Sequence, residues 1–250
     1  MEQKQHSLVT IPGAIIVAGA IVAMAIIWTQ KPMTQVARTT PDTQSAAVTM
    51  AEITNADHIL GNPNAPIKIV EYSDSSCPFC KVFHPTMIKV MSEYGSSGKV
   101  AWVYRHFPLD KPGSRPDGGI LHPNAGHEAQ AMECAAALGG NEAFWKFTNT
   151  LYDLTPSVTS QTPNGLDQSK LPEIAQSIGL NSVSFNECLT SKRFTDKIES
   201  QFQDGLNAGV TGTPFSIIIT PSGTKIPLTG AVPYSTLKTS IDGLLAEIKN

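Results

Sequence analysis

Cysteine is scarce in this chain: four residues in 250. That is too few for a cysteine-rich mini-scaffold, and a chain of this length can bury a core without one. A basic excess is lacking too. Lys and Arg number 18 against 21 Asp and Glu, a formal charge of −3. A nucleic-acid binder would show a basic excess or stripe, so that class is excluded as the main function. There is no acidic tail, no internal repeat and no flavin or nicotinamide fingerprint. What is there is 41% hydrophobic and 16% charged, which rules out a wholly disordered chain. The length suits one or two domains.

Much of the apolar content sits in one run, Leu8 to Trp28, which carries no charge. About 20 apolar residues suffice for a helix to cross a bilayer, and Trp28 stands where an aromatic belt residue would lie. A cleaved signal peptide is the competing reading. Its apolar core would span about 7–15 residues and precede a small-x-small site. This run is longer and ends Ile-Ile-Trp-Thr-Gln. The expected organisation is therefore a short N-terminus (1–7), a membrane anchor (8–28), a Thr/Gln/Ala/Ser-rich linker (29–55) and a folded domain (56–250). Charge gives no orientation: Lys4 before the run is partly offset by Glu2, and Lys31 and Arg38 follow it. The first fifty residues carry a net +1, which leaves the remainder at −4.

Within the domain, Ile67 to Tyr72 reads as a strand after Asn-Pro-Asn-Ala-Pro. A helix follows over Cys77–Tyr94, with Phe83, Met87, Val90, Met91 and Tyr94 on one stripe. Lys99–Arg105 is a second strand. Residues 106–123, with four prolines and three glycines, form a loop. A helical block comes next, carrying stripes 131–138 and 144–151, then short helices around Ile174 and Phe185. A longer helix from Phe194 ends at Gly209 as a C-cap. Phe215–Thr220 and Lys225–Thr229 form a hairpin across Pro221-Ser222-Gly223, and a last helix carries Leu237, Ile241, Leu244, Leu245 and Ile248. The order is β-α-β, a helical insert over about 120–192, then α-β-β-α: an α/β fold.

The chemistry lies at Cys77-Pro78-Phe79-Cys80, where a strand ends and a helix begins. A helix N-terminus offers unpaired N–H groups and a partial positive charge, which depress a thiol pKa. Cys77 is the expected exposed nucleophile, and Cys80, one turn on, the enclosed partner that closes a small ring. Zinc is the first competing reading: Cys77, Cys80 and His84 offer three ligands. No second CxxC completes a tetrahedron, so no metal is expected. An inert disulfide is the second, but a bridge across two residues gains little from loop closure. Cys134 and Cys188 lie on apolar helical stripes. They are either two buried thiols or a structural disulfide; the disulfide is the favoured reading, and closing 54 residues would stabilise by about 4 kcal/mol.

These residues resemble the DsbA-like family of thiol:disulfide oxidoreductases, a thioredoxin fold with a helical insert. The similarity runs through almost all of the domain. Gly61-Asn62-Pro63-Asn64-Ala65-Pro66 and Ile69-Val70-Glu71-Tyr72-Ser73-Asp74 resemble the family's lead-in. Cys77-Pro78-Phe79-Cys80 resembles its redox motif, and Pro85 the proline of its active-site helix. Phe107-Pro108-Leu109, His122-Pro123 and the Ala-rich helix to Cys134 resemble the start of its insert, and Gly212-Thr213-Pro214 its cis-proline loop.

The resemblance implies that Pro214 is cis, an isomer only a proline adopts cheaply. It implies that Thr213 pairs by its backbone with an extended substrate chain. Glu71 shares a strand face with Ile67 and Ile69, where an acid is costly. The family places a buried acid there, to exchange the proton of the second cysteine. One departure matters. The oxidising founder of the family has His where this chain has Phe79, which cannot stabilise a thiolate, so weaker oxidising power is expected. His84, His106, His122 and His127 read as surface or packing residues. The expected function is an extracytoplasmic oxidase that passes its disulfide to cysteines of substrate proteins. It would need no cofactor beyond the Cys77–Cys80 disulfide and would be reoxidised by a quinone-linked membrane partner. Alternatives are a reductase or isomerase of the same fold, or a membrane-tethered thioredoxin-fold chaperone. The need for an oxidising compartment places residues 1–7 in the cytoplasm and the domain outside, a single-pass protein of the cell membrane.

Overall fold

The computed structural model describes residues 48–156 and 165–248. The apolar run 8–28, the residues before it and the linker up to residue 47 lie outside the described residues. Among the described residues, no helix is long and apolar enough to cross a membrane.

Five strands make one mixed sheet: β1 (His58–Gly61), β2 (Ile67–Ser73), β3 (Val100–His106), β4 (Phe215–Ile219) and β5 (Lys225–Thr229). Their spatial order is β1-β3-β2-β4-β5. β2 runs parallel to β3, with Glu71 opposite Tyr104, and antiparallel to β4, with Glu71 opposite Ser216. A parallel pair requires a crossover. Helix α1 (Pro78–Val90) supplies it and runs on through a π-turn over Met91–Gly95. The central strands are buried on both faces, which explains why apolar side chains occupy both faces of each. β1 escapes a reading of the sequence because it is a four-residue edge strand with no repeat to betray it.

Each face of the sheet has its own core. On one, Ile67, Ile69 and Trp102 pack with Phe83, Met87 and Val90 of α1 and with Leu237 and Ile241 of α6 (Tyr234–Ile248). The insert joins this face through α2 (Ala125–Leu154), α3 (Leu171–Ser177) and α4 (Ser182–Ser191). The two stripes expected there are one long helix broken at Gly140, whose φ of 73° is left-handed. On the other face Val70, Tyr72 and Val103 meet Phe107, Ala208 and Val210, with Phe202 of α5 (Thr195–Asn207) packed alongside. Helix α5 ends as expected at Gly209. The Val210 N–H bonds Gly205 O at 2.9 Å and the Gly209 N–H bonds Leu206 O at 3.1 Å, a Schellman close.

Residues 48–55, read from sequence as the end of the linker, lie on the domain. Met50 is buried, and Val48 and Ile53 pack on the second core. Arg105 holds the segment down. Its guanidinium donates to Ala51 O at 3.1 Å and Glu52 O at 3.0 Å, and bonds Asp57 at 2.8 Å and Asp204 at 2.6 Å. A few apolar residues among Thr, Ala and Glu show no period, so composition alone hid this strap.

Cys134 of α2 and Cys188 of α4 are joined by a disulfide that closes 54 residues. Replacing both with Ala is expected to lower unfolding free energy by about 2–5 kcal/mol and leave exchange chemistry intact. Urea denaturation together with a dithiol-exchange assay checks this; a folded variant without exchange would show that the pair does more than hold the insert.

Candidate active site

The tight turn from β2 into α1 sets the geometry. The Cys77 N–H bonds Asp74 O at 3.0 Å, and the Ser76 N–H bonds Asp74 Oδ1 at 2.8 Å. Cys77 is the N-cap of α1, with extended backbone, and Pro78 takes the first helical position, where its missing N–H costs nothing. The Lys81 N–H closes the first turn on Cys77 O at 3.0 Å.

Both cysteines are thiols here, and both are buried. Cys77 is less open than a helix start implies. It is 4% exposed, against 0% for Cys80. The reason is the loop before β4: the Thr213–Pro214 peptide is cis, Pro214 is buried, and Thr213 O lies 3.4 Å from Cys77 Sγ. Phe79 and Val82, by contrast, are each 65% exposed, so an apolar rim flanks the recessed sulfur.

The two thiols differ sharply. The Cys80 side chain hydrogen-bonds the Cys77 sulfur and, against burial, brings its pKa down to about 6, helped by the Cys80 backbone N–H. Cys80 moves the other way, well above the ordinary thiol value, through burial first and the neighbouring Cys77 second. One cysteine is a ready nucleophile at neutral pH and the other holds its proton.

Glu71 is 1% exposed on the face of β2 that packs against α1. Its Oε2 accepts the Trp102 indole N–H at 2.9 Å. Burial pushes its pKa up to about 7 despite bonds from Ser73 and Trp102, and its charge reaches Cys80. A carboxyl with that value can hold or release a proton at working pH.

Of the histidines, His84 packs: it stacks on Tyr152 at 4.5 Å and bonds Asn149 at 2.8 Å. Burial takes its pKa down to about 4. His106 bonds the buried Glu133 at 3.1 Å, and His127 bonds Gln168 at the surface at 3.0 Å. Among the described residues no group of three His, Cys, Asp or Glu side chains is placed to hold a metal ion.

Sequence reasoning missed a polar shell behind the CxxC turn. Asp74 Oδ2 accepts the Leu109 N–H at 2.8 Å and His122 Nδ1–H at 2.8 Å. Glu128, fully buried on α2, accepts the hydroxyls of Ser75 and Ser76 at 2.7 and 2.8 Å and the Gln168 amide at 3.0 Å. The available signal was an Asp three residues before the helix-starting Cys77, the spacing of a side-chain turn.

A mixed five-strand sheet with a helix-start CxxC beside a cis-proline, capped by a helical insert, defines a thioredoxin-fold domain of the DsbA type. A family profile described as thioredoxin matches residues 53–242. The chain belongs to that thioredoxin family. Similar solved structures are Wolbachia pipientis α-DsbA1 (TM-score 0.64, 24% identity, 78% of this chain and 94% of that one) and Pseudomonas aeruginosa DsbA2 (0.58, 28%, 77% and 97%). Bacillus subtilis BdbD aligns at TM-score 0.64 and 19% identity over 80% of this chain and 98% of its own. A Rickettsia felis protein, named as a candidate protein-disulfide oxidoreductase, is 24% identical over 84% of this chain and 67% of its own. The Na(+)/H(+) antiporter NhaA 1 of Mycolicibacterium gilvum is 36% identical over 38% of this chain, and NhaA 3 of Salinispora tropica 30% over 63%. The chain spans 13% and 21% of those two antiporters, so their names describe far more polypeptide than is matched.

The raised Glu71 pKa predicts a pH dependence. Between about 4.5 and about 7 the folded protein keeps a proton that the unfolded chain has released. Glu71 therefore adds stability below about 4.5 that is lost as pH rises through about 7, on the order of 3 kcal/mol. His122 and Glu128 slope the same way, so the comparison is with Glu71→Gln, measured in the oxidised protein. The variant should gain stability relative to wild type across that window. Parallel curves would place Glu71 in a wetter site.

Proposed function

We propose that the chain is a thiol:disulfide oxidoreductase that exchanges the Cys77–Cys80 disulfide with cysteines of substrate proteins. The observation that carries the reading is the split between the two thiols: Cys77 down to about 6, Cys80 held well above an ordinary thiol. In the oxidised enzyme a substrate thiolate attacks Cys77 Sγ, and Cys80 leaves as a thiolate. Glu71, near neutrality in its own pKa, would protonate it. A second substrate thiolate then attacks the substrate sulfur of the mixed disulfide and expels Cys77. The substrate gains one disulfide and the enzyme two thiols, so electrons balance. Thr213 and Pro214 would hold the substrate chain against Cys77, with Phe79 contributing apolar contact. The cysteines are the only redox group needed.

A stabilised Cys77 thiolate favours the reduced enzyme, hence an oxidising disulfide. That supports the oxidase direction; a quinone-linked membrane protein would then reoxidise the enzyme. The buried Asp74 pulls against that direction and is the specific observation favouring the second reading, a reductase or isomerase. The segment 8–28 would anchor the domain outside the cytoplasm. A reporter that is active only outside the cytoplasm, fused after Asn250, should be active; silence would refute this topology.

Cys77→Ser is expected to abolish both oxidation of a dithiol peptide and reduction of insulin. Cys80→Ser should instead accumulate mixed disulfides on Cys77, visible by non-reducing electrophoresis and mass spectrometry. Adducts on Cys80 in Cys77→Ser would reverse the assigned roles.

A further inference from the structure

Phe79, between the two cysteines, brings no charge, yet a titratable histidine stands close behind the motif. His122 comes from the long loop before α2 and reaches the CxxC turn through one carboxylate. Its Nδ1–H donates to Asp74 Oδ2 at 2.8 Å, and its ring is mostly buried. The loop is fixed there by two more bonds: Leu109 N–H to the same Oδ2 at 2.8 Å and His122 N–H to Leu109 O at 2.9 Å. Asp74 is in turn tied to both cysteines, by its carbonyl to the Cys77 N–H at 3.0 Å and by its own N–H to Cys80 Sγ at 3.5 Å.

We propose that His122 is a positioning residue that tunes the redox pair: its imidazolium, seated on Asp74, offsets the buried carboxylates behind Cys77 and thereby stabilises the Cys77 thiolate. The inference rests on Cys77–Cys80 being the redox pair. The groups that face His122 are Asp74 and Cys77 from the β2–α1 turn and Glu128 from α2, with Asp110 of its own loop behind Asp74. All are acidic. Burial alone would drive the imidazole to its neutral form. Asp74, then Cys77 and Glu128, outweigh burial and hold its pKa above the ordinary histidine value. Asp74 by itself works against the Cys77 thiolate. A proton on His122 removes much of that opposition, so the couple becomes more oxidising as His122 charges.

Linkage is reciprocal: if His122 stabilises the thiolate, the thiolate must stabilise charged His122 by the same factor. The first test therefore needs no variant. His122 imidazole shifts are followed by NMR across pH 5–9 in the oxidised and the reduced wild-type protein. The midpoint should be higher in the reduced form, by about half to one pH unit, the size of a charge pair in a partly wet site. Equal midpoints overturn the proposal. The second test is His122→Gln, which keeps an N–H for Asp74 and loses the charge. The pH profile of Cys77 alkylation should move up by a similar amount. The equilibrium with glutathione at pH 6.5 should shift about two- to threefold toward the enzyme disulfide. A folded variant with wild-type Cys77 profile and equilibrium overturns it too. If wild type itself forms no reversible Cys77–Cys80 couple with glutathione, the parent reading fails instead, and the two failures are told apart.

Discussion

One buried carboxylate holds the site together. Asp74 follows β2, and its two oxygens take N–H donors from three stretches of chain: Ser76 in the turn, Leu109 after β3, and His122 before α2. Its backbone adds bonds to Cys77 and Cys80. The position of Cys77 at the start of α1 thus depends on an anion beneath it. An unpaired carboxylate at that depth would cost several kcal/mol, so its donors must be present together. A turn built this way is well specified, but it sets a negative charge beside the sulfur that must itself become negative.

The site resolves this conflict by magnitude. Cys77 falls from 9.0 to about 6. Three pKa units correspond to roughly 4 kcal/mol in favour of the thiolate, and that is the balance left after burial and Asp74 have worked against it. The stabilising groups are local: the Cys80 thiol first, then Thr213 and the Cys80 N–H. The largest of them, the Cys80 thiol, is lost once the disulfide forms. The stabilisation therefore belongs to the reduced state alone, and a difference between redox states is what sets a potential.

The strand–helix junction and CxxC were legible because each has a local signature: an apolar run, a Pro at the first helical position, paired sulfurs. The final hairpin and the Gly209 close were legible for the same reason. Glu71 stood out as an acid on an apolar strand face. Asp74, Glu128 and His122 did not, since their partners are distant in sequence. Glu128 and Glu133 look like solvent-facing acids on an Ala-rich helix, yet both are buried. His122 lies in a proline- and glycine-rich loop where periodicity carries no information. Residues 48–55 were misassigned because they dock through backbone carbonyls onto Arg105, a contact that side-chain pattern cannot announce.

The insert is more than a lid. Helix α2 carries Glu128, bonded to Ser75 and Ser76 of the turn, and, six residues on, Cys134, bonded to α4. The disulfide thus fixes the helix that presents an acid to the redox turn, while His122 enters from the segment just ahead of it. Strand β2 supplies Glu71 and the start of α1 the cysteines; the insert and its leading loop supply much of the surrounding charge. Substitutions in either can change the electrostatics of Cys77 without touching the CxxC. A fixed sheet and motif with a variable insert would let one fold serve redox couples of different strength.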